Sequence, residues 1–472
     1  MRRLFLKNIL FILLLAVIGC GNQFLDIKPS KNQRVPTSIE DYQAILDNPN
    51  NNGMPMNVLS SSYLGIVGSG EYHIEDAYYN AIPTGATYSY QKNAYVWAKD
   101  VYLGGEGGTT NPTDYDMAYQ RILYCNIVLD GVERIAKGEH DAVALAQLKG
   151  DALFRRSLDF YNLAQLYCEV YDESRKNLAY GIPLRLSSSL DEHKGRGTLA
   201  QTYDRIVSDL SEALALLPNL PVNVFRPSKI AVYTLLSRVY MQKGNYDMAL
   251  QVLVEALKIK ADLIDFNSLS VGNNYRFPLY GIGNKEVIFT NATNYNVGVD
   301  ESRVTVNAQL LGLYAEDDLR KKVYFFKDNK NKTLFYGSYY GNRNLFTGLA
   351  TDELYLSISE CLVRSDRTEE ALDWLNRLLR KRMVNKNFEP VLIKDKNLLL
   401  KFVLEERQKE LLLRGIRWED MRRLNKESEI LTTLRRVVNG KEFVLAPRGK
   451  NWVWPLPLEA VQLGGLEQNE RE

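Results

Sequence analysis

The sequence is short of the residues that most enzyme chemistry needs. It holds three histidines, His73, His140 and His193, and four cysteines in 472 residues. So few imidazoles leave little for a histidine-ligated metal or a Ser-His-Asp arrangement, and no cysteines stand at zinc-site spacing. No G-x-S-x-G, H-E-x-x-H or Walker pattern occurs. The glycine-rich run Gly104-Gly105-Glu106-Gly107-Gly108 lacks the Lys-Ser/Thr that completes a phosphate loop, so it reads as a flexible connection. An excess of one charge is missing too. The 59 Lys and Arg face 57 Asp and Glu, a net charge of +2, which argues against a nucleic-acid partner. What is abundant is tyrosine: 29 residues against 16 Phe and 5 Trp, a side chain whose apolar ring and polar tip suit contact surfaces. Hydrophobic residues at 45% and charged ones at 25% describe a folded chain with ample core.

The first twenty residues read as an address. Arg2, Arg3 and Lys7 precede the apolar run Ile9–Ala16, and Val17-Ile18-Gly19-Cys20 follows. A basic start, a short apolar stretch and small residues at the end make a secretory signal. The stretch falls short of the roughly 20 residues that span a bilayer. The ending resembles the lipobox of bacterial lipoproteins. That resemblance implies removal of residues 1–19, acylation of Cys20, and a lipidated tether over residues 20–31. Acyl chains contribute about 0.8 kcal/mol per buried methylene, so two or more hold a chain on a membrane without a spanning helix. With Cys20 used in this way, Cys125, Cys168 and Cys361 remain. An odd number cannot complete a disulfide framework, and each lies in an apolar helical pattern that suits a buried free thiol.

Beyond the tether, helical periodicity comes in pairs. Segments 114–137 and 141–171 form one pair. Segments 199–217, 228–242 and 246–260 follow, and then 352–364, 368–384 and 397–424. The clearest unit runs from Ala231 to Ala256. Small Ala249 and Ala256 let two helices approach, and Gly244 supplies the left-handed turn between them. The pattern resembles tetratricopeptide repeats, which stack faces to share a core and commonly serve as scaffolds. The expected fold is therefore mainly α: a tetratricopeptide-like helix-pair scaffold within one domain, residues 32–472. Two long irregular insertions, about 48–111 and 265–348, carry short strand-like pieces at 286–290 and 303–306. Irregular stretches of that length in a compact body are usually functional.

Several segments, in order, resemble the SusD/RagB family of outer-membrane nutrient-binding lipoproteins from Bacteroidetes. Phe24-Leu25-Asp26-Ile27-Lys28-Pro29 resembles its opening after the lipidated cysteine. Tyr180-Gly181-Ile182-Pro183-Leu184 and Tyr203-Asp204-Arg205-Ile206 resemble its central block, and Arg226-Pro227-Ser228-Lys229 leads into the repeat. Glu286-Val287-Ile288-Phe289, Asp318-Leu319-Arg320-Lys321, Glu406-Arg407, Glu410-Leu411 and Arg417-Trp418 continue the series. Trp454-Pro455-Leu456-Pro457 and Gln468-Asn469 close it. Two features depart from the family pattern: Arg414 before Gly415, and the lack of an acidic cluster after Cys20. The resemblance implies a cell-surface protein on the outer membrane, anchored by lipid. It would capture an oligosaccharide, or in some members an oligopeptide, and hand it to a SusC-like TonB-dependent barrel transporter. It implies no catalysis, no cofactor and no metal. An extracellular glycosidase and a purely protein-binding repeat scaffold are the rivals.

Sugar recognition needs aromatic rings for the apolar faces and polar side chains for the hydroxyl rim. Both insertions supply the mixture. Tyr72, His73, Asp76, Tyr78, Tyr79, Asn80 and Trp97 stand in the first, and Asn291 and Tyr295 in the second, with Tyr275 and Arg276 nearby. These are the expected substrate-binding residues, on two insertions that would converge over one scaffold. Trp97, next to the helical block, also suits a loop anchor. Glu406 and Glu410 are the one pair that invites an acid/base reading. Their i, i+4 spacing, continued by Arg414 at i+8, instead describes an ion-pair ladder, which Arg407, Arg417 and Asp420 extend.

Overall fold

The computed structural model describes residues 35–47, 59–83, 89–102, 113–138, 141–191, 194–272, 275–293 and 304–472. The signal segment, Cys20 and the tether lie outside them, as do His140, His193 and Gly104–Gly108.

Ten helices build the scaffold: α1 (Ile39–Leu46), α2 (Asp114–Ile135), α3 (Ala142–Tyr167), α4 (Leu199–Leu216), α5 (Lys229–Gln242), α6 (Tyr246–Ile259), α7 (Thr351–Arg364), α8 (Thr368–Leu379), α9 (Lys396–Glu410) and α10 (Ile416–Leu424). Their starts are written locally. Thr113 with Asp116 and Thr198 with Gln201 form reciprocal capping boxes, and Asp141, Asn245 and Asp395 cap α3, α6 and α9. From α2 to α6 each helix packs on the next; α6 packs on α7, and α7 on both α8 and α9. Between α5 and α6, Gly244 has φ +72°, and a Cβ there would meet nothing within 4 Å. Backbone conformation, not space, selects glycine at that turn. Ala249 and Ala256 are fully buried, as close helix approach requires.

The helix-pair fold is thus the observed one, with one break in it. The stretch 397–424 is not a single helix. It stops at Glu410, Leu413 takes φ +56° and Gly415 φ +80°, and α10 starts afresh. Among the described residues the strands are short and pair two at a time. Among them is a hairpin the periodicity did not suggest, Leu434–Val438 with Lys441–Leu445, closed by Asn439-Gly440 with φ of 51° and 74°. Two positive φ values define the twisted turn that Asn-Gly favours. Cys125, Cys168 and Cys361 are buried free thiols. Among the described residues no helix is long and apolar enough to cross a membrane.

Candidate functional site

The two insertions do meet. Leu59–Ser60 runs parallel to Ala292–Thr293, and Tyr72–Ile74 pairs antiparallel with Val304–Val306, matching His73 to Thr305. Val304–Val306 in turn packs on Thr333–Phe335, the second strand of a hairpin with Phe325–Lys327. A Glu75–Lys332 ion pair of 2.6 Å ties the first insertion to the turn of that hairpin. Segments more than two hundred residues apart in sequence therefore form one face.

Strand alternation sorts the expected residues on that face. Tyr72 and Ile74 point inward and His73 outward. The helix Asp76–Ala81 buries none of its residues, so Tyr78 stays half-buried against the body. Tyr79 is half-buried as well, but it is held: its ring lies 5.9 Å from that of Tyr95, and the Lys92 ammonium sits 4.9 Å from its centre. Asp76 and Asn80 are exposed and spend polar groups on the Asn-Gly turn. Asp76 accepts the Asn439 N–H at 2.9 Å, and Asn80 exchanges two amide hydrogen bonds of 2.9 Å with Asn439.

Three expected binding residues prove to be packing residues. Tyr72 is 2% exposed and Trp97 3%. The two rings, with Tyr95, surround the Arg436 guanidinium, which lies 5.8, 3.9 and 4.4 Å from the centres of Tyr72, Tyr95 and Trp97. The Trp97 indole N–H donates to the Gly68 carbonyl at 3.1 Å. With no carboxylate beside it, burial lowers the Arg436 pKa; the aromatic box and the Val67 and Tyr95 carbonyls hold the cation. Asn291 is 3% exposed, and its side-chain oxygen accepts the Thr347 hydroxyl at 3.1 Å. Local geometry turns each of them inward: Tyr72 stands on the buried side of its strand, Asn291 lies between the strands Val287–Phe289 and Ala292–Thr293, and Trp97 follows the helix Ser89–Tyr95 with a left-handed φ of 52°. Tyr295 lies outside the described residues.

The face also carries Phe326 and Tyr336, which the sequence reading passed over, beside Tyr275, which it named. Tyr275, Tyr336 and Phe326 form a ladder, with centroids 4.9 Å apart at 21° and 4.9 Å apart at 17°. All three are half-buried. The signal was present in the alternating Phe325-Phe326 and Leu334-Phe335-Tyr336 around a polar turn, a hairpin pattern. Offset-stacked rings hold one another in place, so they offer apolar surface at low entropic cost.

The acidic pair is structural. Glu406 and Glu410 are both buried, and Arg320 meets them at 2.6 and 3.0 Å together with Asp318 at 2.7 Å. Arg382 joins Glu410 and Glu286, each at 2.7 Å. Arg414 does not continue a helical ladder, because α9 has ended before it; it pairs with Asp352 at 2.7 Å. Carboxylate oxygens of Glu286, Asp352 and Glu410 lie within 4.8 Å of one another, but guanidinium groups already neutralise each, so the trio is part of a charge network. Asp420 belongs to a neighbouring network, with Arg407 at 2.6 Å and Arg423 at 2.8 Å.

Comparison with known proteins agrees with this architecture. A SusD-like family model described as "Starch-binding associating with outer membrane" matches residues 23–241, and the SusD family (SusD/RagB) model matches residues 324–470. A tetratricopeptide-repeat model matches 230–263, the α5–α6 unit. The chain belongs to the SusD family. No curated protein matches it. Among solved structures, a candidate sugar-binding protein from Bacteroides vulgatus is 20% identical with a TM-score of 0.70, covering 93% of this chain and 99% of its own. A SusD superfamily protein from Bacteroides fragilis is 20% identical, TM-score 0.67, covering 91% and 99%. A SusD-like carbohydrate-binding protein from Bacteroides vulgatus is 17% identical, TM-score 0.63, covering 91% and 97%. These similarities establish the fold.

Proposed function

We propose that the chain is a lipid-anchored, cell-surface protein that captures oligosaccharides without cleaving them and passes them to a SusC-like TonB-dependent transporter. Family membership and the family model's outer-membrane association support the setting. The observation that carries the binding reading is the convergence of two insertions into one face bearing His73, Tyr78 and the Tyr275–Tyr336–Phe326 ladder. Ring faces would take the apolar side of a sugar, while His73 lies exposed nearby for hydroxyls. The most prominent carboxylate pair is locked into ion pairs deep in the scaffold, which supports binding without hydrolysis.

The test is a screen of the purified chain against oligosaccharide and oligopeptide arrays, with product analysis of every binder. Oligosaccharide binding with the ligand recovered intact is expected. Binding of peptides alone would move the function to the oligopeptide branch, and cleaved sugar would make it an enzyme. For the anchor, Cys20→Ser is expected to release the chain from the membrane fraction; retention there would remove the lipid anchor from the account.

A further inference from the structure

A cavity that shares no residue with the ring face opens between the end of α10, the segment that follows α3, residues 448–453 and the C-terminal segment. It has a volume of about 710 Å³ and is lined in part by Arg175, Tyr180, Arg422, Asn425, Lys426 and Arg448. Small-ligand sites run to roughly 300–1,000 Å³, so the space far exceeds what a single inorganic anion fills.

Its charges are unevenly matched. Arg175 is paired with Glu169 at 3.3 Å and Lys450 with Glu470 at 2.7 Å. Three other cations meet only carbonyl and hydroxyl oxygens. Arg422 donates to the Gln165 and Cys168 carbonyls, and Lys426 to the Tyr171 carbonyl at 2.8 Å. Arg448 donates to the Asn425 and Lys426 carbonyls at 2.6 and 3.0 Å and to the Ser428 hydroxyl at 3.4 Å. Against these three stands Asp172, whose carboxylate already accepts the Ser174 N–H and hydroxyl at 2.8 and 2.7 Å. Carbonyl dipoles hold a cation in place without cancelling its charge, so the cavity keeps a positive field.

Two further features point to a ligand. Asn425 is 3% exposed and lines the cavity, and its amide nitrogen has no hydrogen-bond partner. Turning the amide over does not cure this, because its oxygen is the acceptor for the Thr432 N–H at 2.7 Å. A buried donor left unmade is costly and calls for an acceptor. Arg448 also holds φ +60°, a left-handed conformation that non-glycine residues rarely adopt, to lay its guanidinium across the end of α10. Tyr180 adds a ring that is 47% exposed.

We propose that this cavity is a second binding site for an acidic sugar, taking the carboxylate of a uronate unit between Lys426 and Arg448 with the sugar ring beside Tyr180. An acidic polyhydroxyl ligand suits these basic donors better than a peptide, since the cavity's backbone carbonyls are already occupied by the cations. The site is independent of the ring face.

Isothermal titration of the full chain in detergent tests it, using a uronic-acid trisaccharide, the same trisaccharide with its carboxyl groups reduced, and a tripeptide with a free C-terminal carboxylate. The acid is expected to bind at least about tenfold more tightly than the reduced sugar, and to weaken as salt rises. The double variant Lys426→Ala/Arg448→Ala is expected to lose most of that affinity, while Tyr336→Ala leaves it unchanged. If the double variant does not fold, Lys426→Gln, at an exposed position, has to lower the affinity severalfold by itself. Equal affinity for acid and reduced sugar overturns the proposal, as does no binding of the acid, unchanged binding in the cation variants, loss of acid binding in Tyr336→Ala, or a tripeptide that binds as tightly as the uronate.

Discussion

Arginine and tyrosine are put to opposite uses in two parts of this molecule. Around α7, α9 and α10, guanidinium groups are buried opposite carboxylates. Arg320 is 0% exposed and meets three of them, Arg423 meets Glu360 and Asp420, and Arg238 meets Glu353 at 2.6 Å. On the insertion face the ladder rings are half-buried, and buried Arg436 has aromatic faces and carbonyls for company. In the first region each charge depends on its neighbours, so removal of one leaves others stranded in low dielectric. In the second, the half-buried ladder rings contact mainly one another, so one of them can be removed without orphaning a charge. A network fixes register between repeat helices; a loosely held face remains available for a ligand. Glu71 joins the two. It precedes the Tyr72–Ile74 strand, accepts the Leu413 N–H at 3.0 Å from the α9–α10 junction and the Ser69 hydroxyl at 3.0 Å, and among the described residues makes no direct ion pair, Arg417 acting on it only from a distance.

The contrast can be broken most severely at Arg320. Arg320→Ala takes the guanidinium shared by Asp318, Glu406 and Glu410, leaving them Lys409 and Arg382, and is expected to cost about 3–5 kcal/mol in denaturant unfolding. A loss under 1 kcal/mol would mean that the network is not holding the helices in register.

The next test is at the joint. Burial is the main influence on Glu71 and raises its pKa from 4.5 to about 7 against the Leu413 and Ser69 hydrogen bonds. The folded state then binds this proton more tightly than the unfolded chain. Its contribution to stability is therefore lost as pH rises from about 4.5 to about 7, by up to about 3 kcal/mol. Glu71→Gln is expected to flatten that part of the stability–pH curve, measured as a difference from the parent. Glu360 gives the opposite sign. Burial opposes its ionisation, but Arg423 and Arg364 outweigh it and hold the pKa at about 2. Its contribution is present above the ordinary carboxylate range and disappears as pH falls toward 2, so Glu360→Gln is expected to flatten the acid limb of the same curve.

Smaller effects belong to the ring face. Tyr336→Ala removes the middle of the ladder and is expected to weaken oligosaccharide binding by about 1–3 kcal/mol by titration, with little change in unfolding midpoint. Tyr78→Ala, on a helix that buries no residue, is expected to cost less in binding and almost nothing in stability.

The scaffold was legible because helices repeat a local code. Ala249, Ala256 and Gly244 each have a role that spacing alone reveals, and the structure places them as expected. The ion-pair character of Glu406 and Glu410 was legible too, though its partners Arg320 and Arg382 come from distant segments that spacing cannot supply. The site was read only in outline. That the two insertions could converge was suggested by their shared composition, but which of their rings face water depends on strand pairing between residues such as His73 and Thr305, a tertiary fact. One step of register separates buried Tyr72 from exposed His73. The Asn439-Gly440 turn was a local signal and was missed, and with it the hairpin that occupies Asp76 and Asn80.

Hydrogen–deuterium exchange with and without a bound oligosaccharide tests the central claim most directly. The account predicts protection at residues 72–80, 275–277 and 325–336, with the buried network of 396–424 unchanged. Protection confined to 396–424, or none at the insertion face under saturating ligand, would contradict it.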